Sequence, residues 1–378
     1  MEITFRKAHP EEYDACVDLV NYVFSYDHCP HDFEKMIPRV YGPGKNAAEL
    51  HRVAVDGMGR LWAAVACLPE TLTVCGHELR AGFIGSVSVH PRARGEGFMK
   101  RLMADWDAEM QETCDLAVLS GQRQRYEYFG YTSGGLALRW TVNDANVRHA
   151  LHSVDDGSFS FRPLVESPEA LALAQELHLR QPARVYRAPV LFEEGLRSFG
   201  MHPLAILKKG KAAGYLTASS DSRTINEIAL EDNEDLSPVL KAFFACYQPG
   251  HAAIIAAATD TALNRRLGTF AESWRLEASE MIRIYRFAPV LEAYLTLRQK
   301  TLGLVPGEWS AVLGGQPVTV RVTGAGVTVE EKAAPGAPEL DQKQAQSLLL
   351  SPQSCLQDGL APAGWFPLPI FWPTADQF

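Results

Sequence analysis

The densest chemistry in the sequence lies between Gly85 and Lys100, Gly-Ser-Val-Ser-Val-His-Pro-Arg-Ala-Arg-Gly-Glu-Gly-Phe-Met-Lys. Its β-branched start reads as a strand, its glycines as a tight turn, and the run from Phe98 to Glu112 as a helix with apolar positions at Leu102, Met103, Trp106 and Met110. A strand that turns into a helix start presents several unpaired N–H groups together at the positive end of the helix dipole, which suits a phosphate. Gly95 and Gly97 would let the backbone come close to such an anion, and Arg92 and Arg94 add positive charge. An ordinary strand-to-helix connection with solvated arginines would read the same way.

Further residues could handle protons or bind ligands. The exposed backbone of Gly85 to Val89 can pair with the amides of a ligand as an added strand would, and Val87 and Val89 are the natural positions. Leu116-Ala-Val-Leu119 reads as a buried strand, followed by Ser120-Gly121-Gln122 and by Arg125-Tyr126-Glu-Tyr128-Phe129-Gly130-Tyr131. A tyrosine there could donate a proton, although three tyrosines in six residues also suit packing. Gly42-Pro-Gly-Lys45 lacks the spacing and the Ser or Thr of a phosphate-binding P-loop. His28-Cys29 and Cys75-Gly-His77 have no partners at metal-ligand spacing, so no metal is expected. Asp27 and Glu127 could meet a cationic amine or simply form a solvated face.

These residues need elements to hold them, and the chain is long enough to supply several. Its 378 residues, 47% of them hydrophobic, imply two or three domains with a sizeable core. Lys and Arg number 36 against 45 Asp and Glu, a formal charge of −9 that argues against nucleic acid as a partner. The seven scattered cysteines form no C-x-x-C pair and read as reduced, mainly buried thiols. The N-terminus lacks a signal-like apolar core and no run is long enough to span a bilayer, so the expectation is a cytoplasmic protein without a membrane partner.

A faint repeat organises the first three quarters. Ile3-Thr-Phe5-Arg6, Pro10-Glu-Glu and a helical run are echoed by Phe159-Ser-Phe161-Arg162, Pro168-Glu169 and another helical run. The polar stretch from Asn143 to Gly157 marks the boundary. Where the first copy has its glycine turn, the second has Ile228-Ala-Leu230-Glu-Asp-Asn-Glu-Asp-Leu-Ser-Pro238, with four acids that would repel a phosphate. From Phe287 a helix, alternating strands at Val318 to Val322 and near Val327, a Pro/Gly/Ala loop at 333 to 338 and a helix near Asp341 to Leu349 follow. The ending, from Gly364-Trp-Phe to Phe378, is aromatic to its last residue and should dock against something.

Arg94-x-x-Gly97 in this strand-turn-helix setting resembles the pyrophosphate loop of the GNAT superfamily of acyl-CoA-dependent N-acyltransferases, and the Tyr126 run resembles the GNAT segment whose tyrosine protonates the departing thiolate of CoA. Met99 departs from the small residue usual in that loop. With a second degenerate copy and an aromatic C-terminal unit, the whole chain resembles the enhanced intracellular survival (Eis) family, whose loop also lacks a small residue there. The resemblance implies an α/β (α+β) protein with a GNAT domain over 1–145, a degenerate GNAT-like domain over 158–286 and a domain of sterol-carrier-protein-2 type over 287–378. It implies acetyl-CoA as co-substrate, contacting Val87, Ser88, Val89, Arg94, Gly95, Glu96, Gly97, Phe98, Met99, Lys100, Gly121 and Gln122. It further implies Tyr126 as general acid and the terminal carboxylate on Phe378 as general base, its weak basicity raised if Trp365, Phe366, Phe371 and Trp372 shield it from water. The expected acceptor is a primary amine of a cationic small molecule, aminoglycoside- or polyamine-like, and the expected assembly a homo-oligomer such as a hexamer. A non-catalytic lipid-binding or scaffold protein and a protein lysine acetyltransferase are the alternatives.

Overall fold

The computed structural model describes residues 2–27, 29–354 and 359–378, so His28 and Cys355 lie outside the described residues. The first sheet takes β1 (Ile3–Lys7), β2 (His51–Asp56), β3 (Leu61–Val74), β4 (His77–Val89), β5 (Leu116–Leu119) and β6 (Thr132–Gly134). The next strands are β7 (Ala137–Asn143), β8 (Phe159–Pro163), β9 (Ala183–Val185), β10 (His202–Lys208), β11 (Lys211–Ala218), β12 (Thr224–Leu230), β13 (His251–Ala257), β14 (Ser273–Glu277) and β15 (Glu280–Ile284). A third sheet holds β16 (Gly307–Leu313), β17 (Gln316–Thr323), β18 (Gly326–Glu330) and β19 (Glu339–Leu340).

The first two sheets match strand for strand. Sheet one runs β1-β2-β3-β4-β5-β15-β6, with β9 added beside β3, and sheet two runs β8-β10-β11-β12-β13-β7-β14. In each, the fourth and fifth strands are parallel, β4 with β5 and β12 with β13, and the other neighbours on the path are antiparallel. The sixth strand of each is borrowed. β15, at the end of the second unit in sequence, sits in sheet one, and β7, at the end of the first, sits in sheet two. Sheet membership therefore crosses the expected divisions near 145 and 286. The polar stretch after Asn143 is not a bare linker either: Asp144–Ala150 is a helix, because Asn143 and Asn146 form a reciprocal capping box at its start.

Helix Phe98–Thr113 covers sheet one as its periodicity requires, burying Phe98, Leu102, Met103, Trp106 and Met110. Each such side chain contributes about 1.5–3 kcal/mol through burial, and the Trp106 indole also donates to the Val65 carbonyl at 2.8 Å. Helix Phe287–Thr301 packs on β17 and β18, and its buried face, including Phe287, Leu291 and Tyr294, belongs to one core shared with β3, β4 and helix Tyr13–Asp27. The third sheet is thereby fused to the first.

Candidate active site

The opening between β4 and β5 is written into their pairing. The two strands are in register only from Ala81–Leu116 to Ile84–Leu119, while β4 runs on to Val89. At Ser86 the backbone turns left-handed, with φ at 51°, and the register with β3 slips between Ala64 and Ala66. Such a bulge bends its strand. Gly85 to Val89 thus run free of β5, with main-chain groups available to a ligand's amides.

This edge forms one wall of a cleft of about 500 Å³. Of the residues expected to contact the cofactor, Val87, Val89, Arg94, Gly95, Gly97, Phe98, Met99 and Lys100 line it. Gly95 and Gly97 have φ of 93° and 78°, a conformation that favours glycine, and Gly97 caps helix Phe98–Thr113 with no side chain occupying the first turn's donors. Ser88 alternates to the other face of β4 and is fully buried, Glu96 points to solvent, and Gly121 and Gln122 lie beyond the end of β5, off the cleft wall. Val23, Phe24, Ala93 and Arg125 also line the cleft. Val23 and Phe24 belong to helix Tyr13–Asp27 and were not singled out in the sequence.

Of the tyrosines after β5, Tyr128 is 68% exposed, with Lys100 Nζ 4.7 Å above its ring. Tyr126 ends the one-turn helix Arg123–Tyr126 and is buried. Gly121 gives its ring room: a Cβ there would fall 2.3 Å from Tyr126 Cε2. Burial pushes the Tyr126 phenol above its ordinary value, against the opposing pull of Arg125, so it keeps its proton at neutral pH. That suits a proton donor.

The end of the chain comes to the same opening. Leu136 N–H donates to the Ile370 carbonyl at 2.8 Å and Trp372 N–H to Ser279 Oγ at 2.8 Å, laying the tail along sheet one. Phe378 is buried, and its terminal carbonyl lies against Gly85, where a Cβ would be 2.4 Å from the oxygen. Its ring stacks on Tyr41, centroids 5.7 Å apart and planes 19° from parallel. The expected wall of Trp365 and Phe366 is elsewhere. Trp365 donates to the Val305 carbonyl, Phe366 packs on Trp309, and Phe371 lines a separate cavity. Trp365 and Phe366 thus serve the core of the third sheet. Trp372 stays by the tail, its ring packed on Phe83 of β4 and its indole N–H donating to the Asp376 carbonyl at 3.0 Å, and Tyr41 supplies the ring stacked on Phe378.

Tyr41 is itself fixed by a buried chain of hydrogen bonds. His51 Nδ1 lies 2.9 Å from the Ala47 carbonyl, which can only accept, so Nδ1 carries the proton and Nε2 accepts from the Tyr41 hydroxyl at 2.9 Å. Ser86, at the bulge, then donates to Tyr41 at 2.8 Å. Burial lowers His51 to about 4, which keeps this neutral pattern at physiological pH.

Charged groups from both sheets hold the segment before Phe378. Arg187 clamps Asp376 with Nε–Oδ1 at 2.8 Å and Nη2–Oδ2 at 2.9 Å, and its remaining donors reach Glu227 at 2.9 Å. Arg39 donates to the Asp376 carbonyl at 2.8 Å and to Glu70 at 2.9 Å. Glu280 accepts from Ser120 Oγ at 2.7 Å and from Gln377 Nε2. None of these partners was singled out from the sequence. Asp376 close to an aromatic terminus and Glu280 opening a mostly apolar strand were the available signals.

Residues 4–134 match the family model described as acetyltransferase (GNAT) domain. The chain carries a GNAT acetyltransferase domain. It is accordingly an acyltransferase, and the cleft along β4 lies within that domain. Solved structures share the whole architecture at low identity. A GCN5-related N-acetyltransferase from Anabaena variabilis ATCC 29413 is 19% identical with a TM-score of 0.66, over 100% of this chain and 97% of that one. A probable N-acyltransferase from Enterococcus faecalis V583 is 17% identical with a TM-score of 0.62, over 88% and 86%. Eis1 from Mycobacterium abscessus is 15% identical with a TM-score of 0.59, over 90% and 88%. No curated protein matches the sequence. Among the described residues no three His, Cys, Asp or Glu gather as metal ligands, and no helix is long and apolar enough to cross a membrane.

Proposed function

We propose that the chain moves the acetyl group of acetyl-CoA directly to a primary amine of a cationic small molecule, aminoglycoside- or polyamine-like, with Tyr126 as general acid and the terminal carboxylate of Phe378 as general base. The pyrophosphate would lie over Gly95 to Lys100 and the pantetheine amides along Gly85 to Val89. The observation that carries this reading is the seat of the Phe378 carboxyl on Gly85, where β4 leaves β5. There the amine nitrogen attacks the thioester carbonyl, the C–N bond forms and the C–S bond breaks. The terminal carboxylate takes one ammonium proton before the attack, the Tyr126 proton goes to the thiolate, and the second proton shed by the nitrogen as the amide forms restores Tyr126 through solvent. With an amine near 10.4 and a thiol near 8.5, both transfers benefit from a placed partner at neutral pH.

The same reading keeps 1–145, 158–286 and 287–378 as the chain's units, the second without a working cofactor loop and the third of sterol-carrier type, in a cytoplasmic homo-oligomer of the Eis kind. Appending one glycine after Phe378 tests the base. Acetyl transfer should fall at least about tenfold while CoA binding stays within about twofold. Undiminished transfer would remove the terminal carboxylate from the mechanism.

A further inference from the structure

Glu280 is the first residue of β15, the strand that sheet one receives from the end of the second unit. The rest of that strand, Met281-Ile-Arg-Ile284, is mostly apolar and buried. Its carboxylate is buried and accepts two hydrogen bonds, one from Ser120 Oγ at 2.7 Å and one from Gln377 Nε2. Each donor stands next to a different half of the proposed chemistry. Ser120 precedes Gly121, which lies against the Tyr126 ring, and Gln377 precedes Phe378, whose carbonyl lies against Gly85.

A buried acid held only by neutral donors costs stability compared with an apolar residue of like size. A role at the site is what would offset that cost. The carboxylate is also well suited to join two chain segments, because one oxygen takes the donor from one segment and the other oxygen the donor from the other.

We propose that Glu280 is a positioning residue, one side chain that fixes the loop beneath Tyr126 and the dipeptide ending in Phe378 relative to each other. This rests on the reading of Tyr126 and Phe378 as acid and base. A glutamine at 280 would preserve the bridge, its oxygen accepting from Gln377 and its amide donating to Ser120 Oγ. An alanine would break it on both sides.

The test uses the full chain as wild type, Glu280→Ala and Glu280→Gln. Amide hydrogen exchange is followed at 116–126 and 370–378, and acetyl transfer from acetyl-CoA is measured with spermidine as the acceptor. Glu280→Ala should exchange faster in both segments and not elsewhere in sheet one. Its kcat should fall at least about tenfold with the KM for acetyl-CoA within about twofold, and Glu280→Gln should restore both readouts to within about threefold of wild type. Unchanged exchange in either segment of Glu280→Ala, or a loss that glutamine does not rescue, overturns the proposal. The chain extended by one glycine keeps the two readings apart. If that chain still transfers acetyl, the terminal base falls, while the exchange data still decide whether Glu280 joins the two segments.

Discussion

Glu70 and Glu280 are buried acids whose ordinary value of 4.5 rises to about 7. In both, burial is the main cause. At Glu70 it outweighs the neighbouring Arg39, and Asp376 adds to it, while at Glu280 the Ser120 and Gln377 donors only partly oppose it. An acid with a raised folded-state value binds its proton more tightly when folded, so its contribution is most favourable below pH 4.5 and is lost as pH climbs through about 7. Wild-type stability should therefore decline between those limits by on the order of 2 kcal/mol for each acid. Glu280→Gln should flatten its share, so the variant gains on wild type as pH rises. Thermal melts at pH 5 and pH 8 check this, and an equal pH response in the two proteins would refute it. At this scale the sequence was legible at Gly97, a glycine in a left-handed turn at a helix start. Glu280, Arg39 and Arg187 were not, because a charged side chain in a linear sequence looks the same whether it faces solvent or a distant chain segment.

Two elements, the bulged end of β4 and the docked tail, depend on one glycine. Gly85 has an ordinary backbone conformation, so its need for glycine comes from contact: a Cβ would stand 2.4 Å from the Phe378 oxygen and 2.8 Å from its ring. Both contacts are with the tail itself, so Gly85→Ala should shift the terminus while sheet one survives. A displacement near an ångström at a reacting group can cost about 100-fold in rate, and a fall of about 10- to 100-fold in kcat with little change in the KM for acetyl-CoA is expected. Steady-state kinetics beside a melting curve would decide, and wild-type kcat would mean the seat is unimportant. The element pattern itself was plain in the sequence. Helix Phe98–Thr113 and β5 fall where apolar spacing put them, whereas the bulge at Ser86 left no local sign because its cause lies in partners across the sheet.

For the whole molecule, the repeat was readable but the exchange of sixth strands was not. β7 and β15 carry the alternation of any half-buried strand, and that pattern says nothing about which sheet accepts them. The exchange makes a strong demand on fragments. Residues 1–145 alone would lack β15 between β5 and β6, leaving Leu116 to Leu119 without the ladder of Ile284 to Met281. The fragment should be insoluble or show non-cooperative melting, whereas the full chain melts cooperatively. A compact, cooperatively folding 1–145 fragment would show that the borrowed strand is dispensable.

The crossed strands also decide how the molecule can move. Two units joined by a single linker can open and close like jaws around a substrate. Here two connections run in opposite directions and each ends inside the other unit's hydrogen-bonded sheet, so opening would have to unzip β7 or β15. These ladders therefore oppose a hinge-like opening of the two sheets. On the proposed reading, changes in acceptor range should come from altering the side chains and short loops at the rim of the cleft.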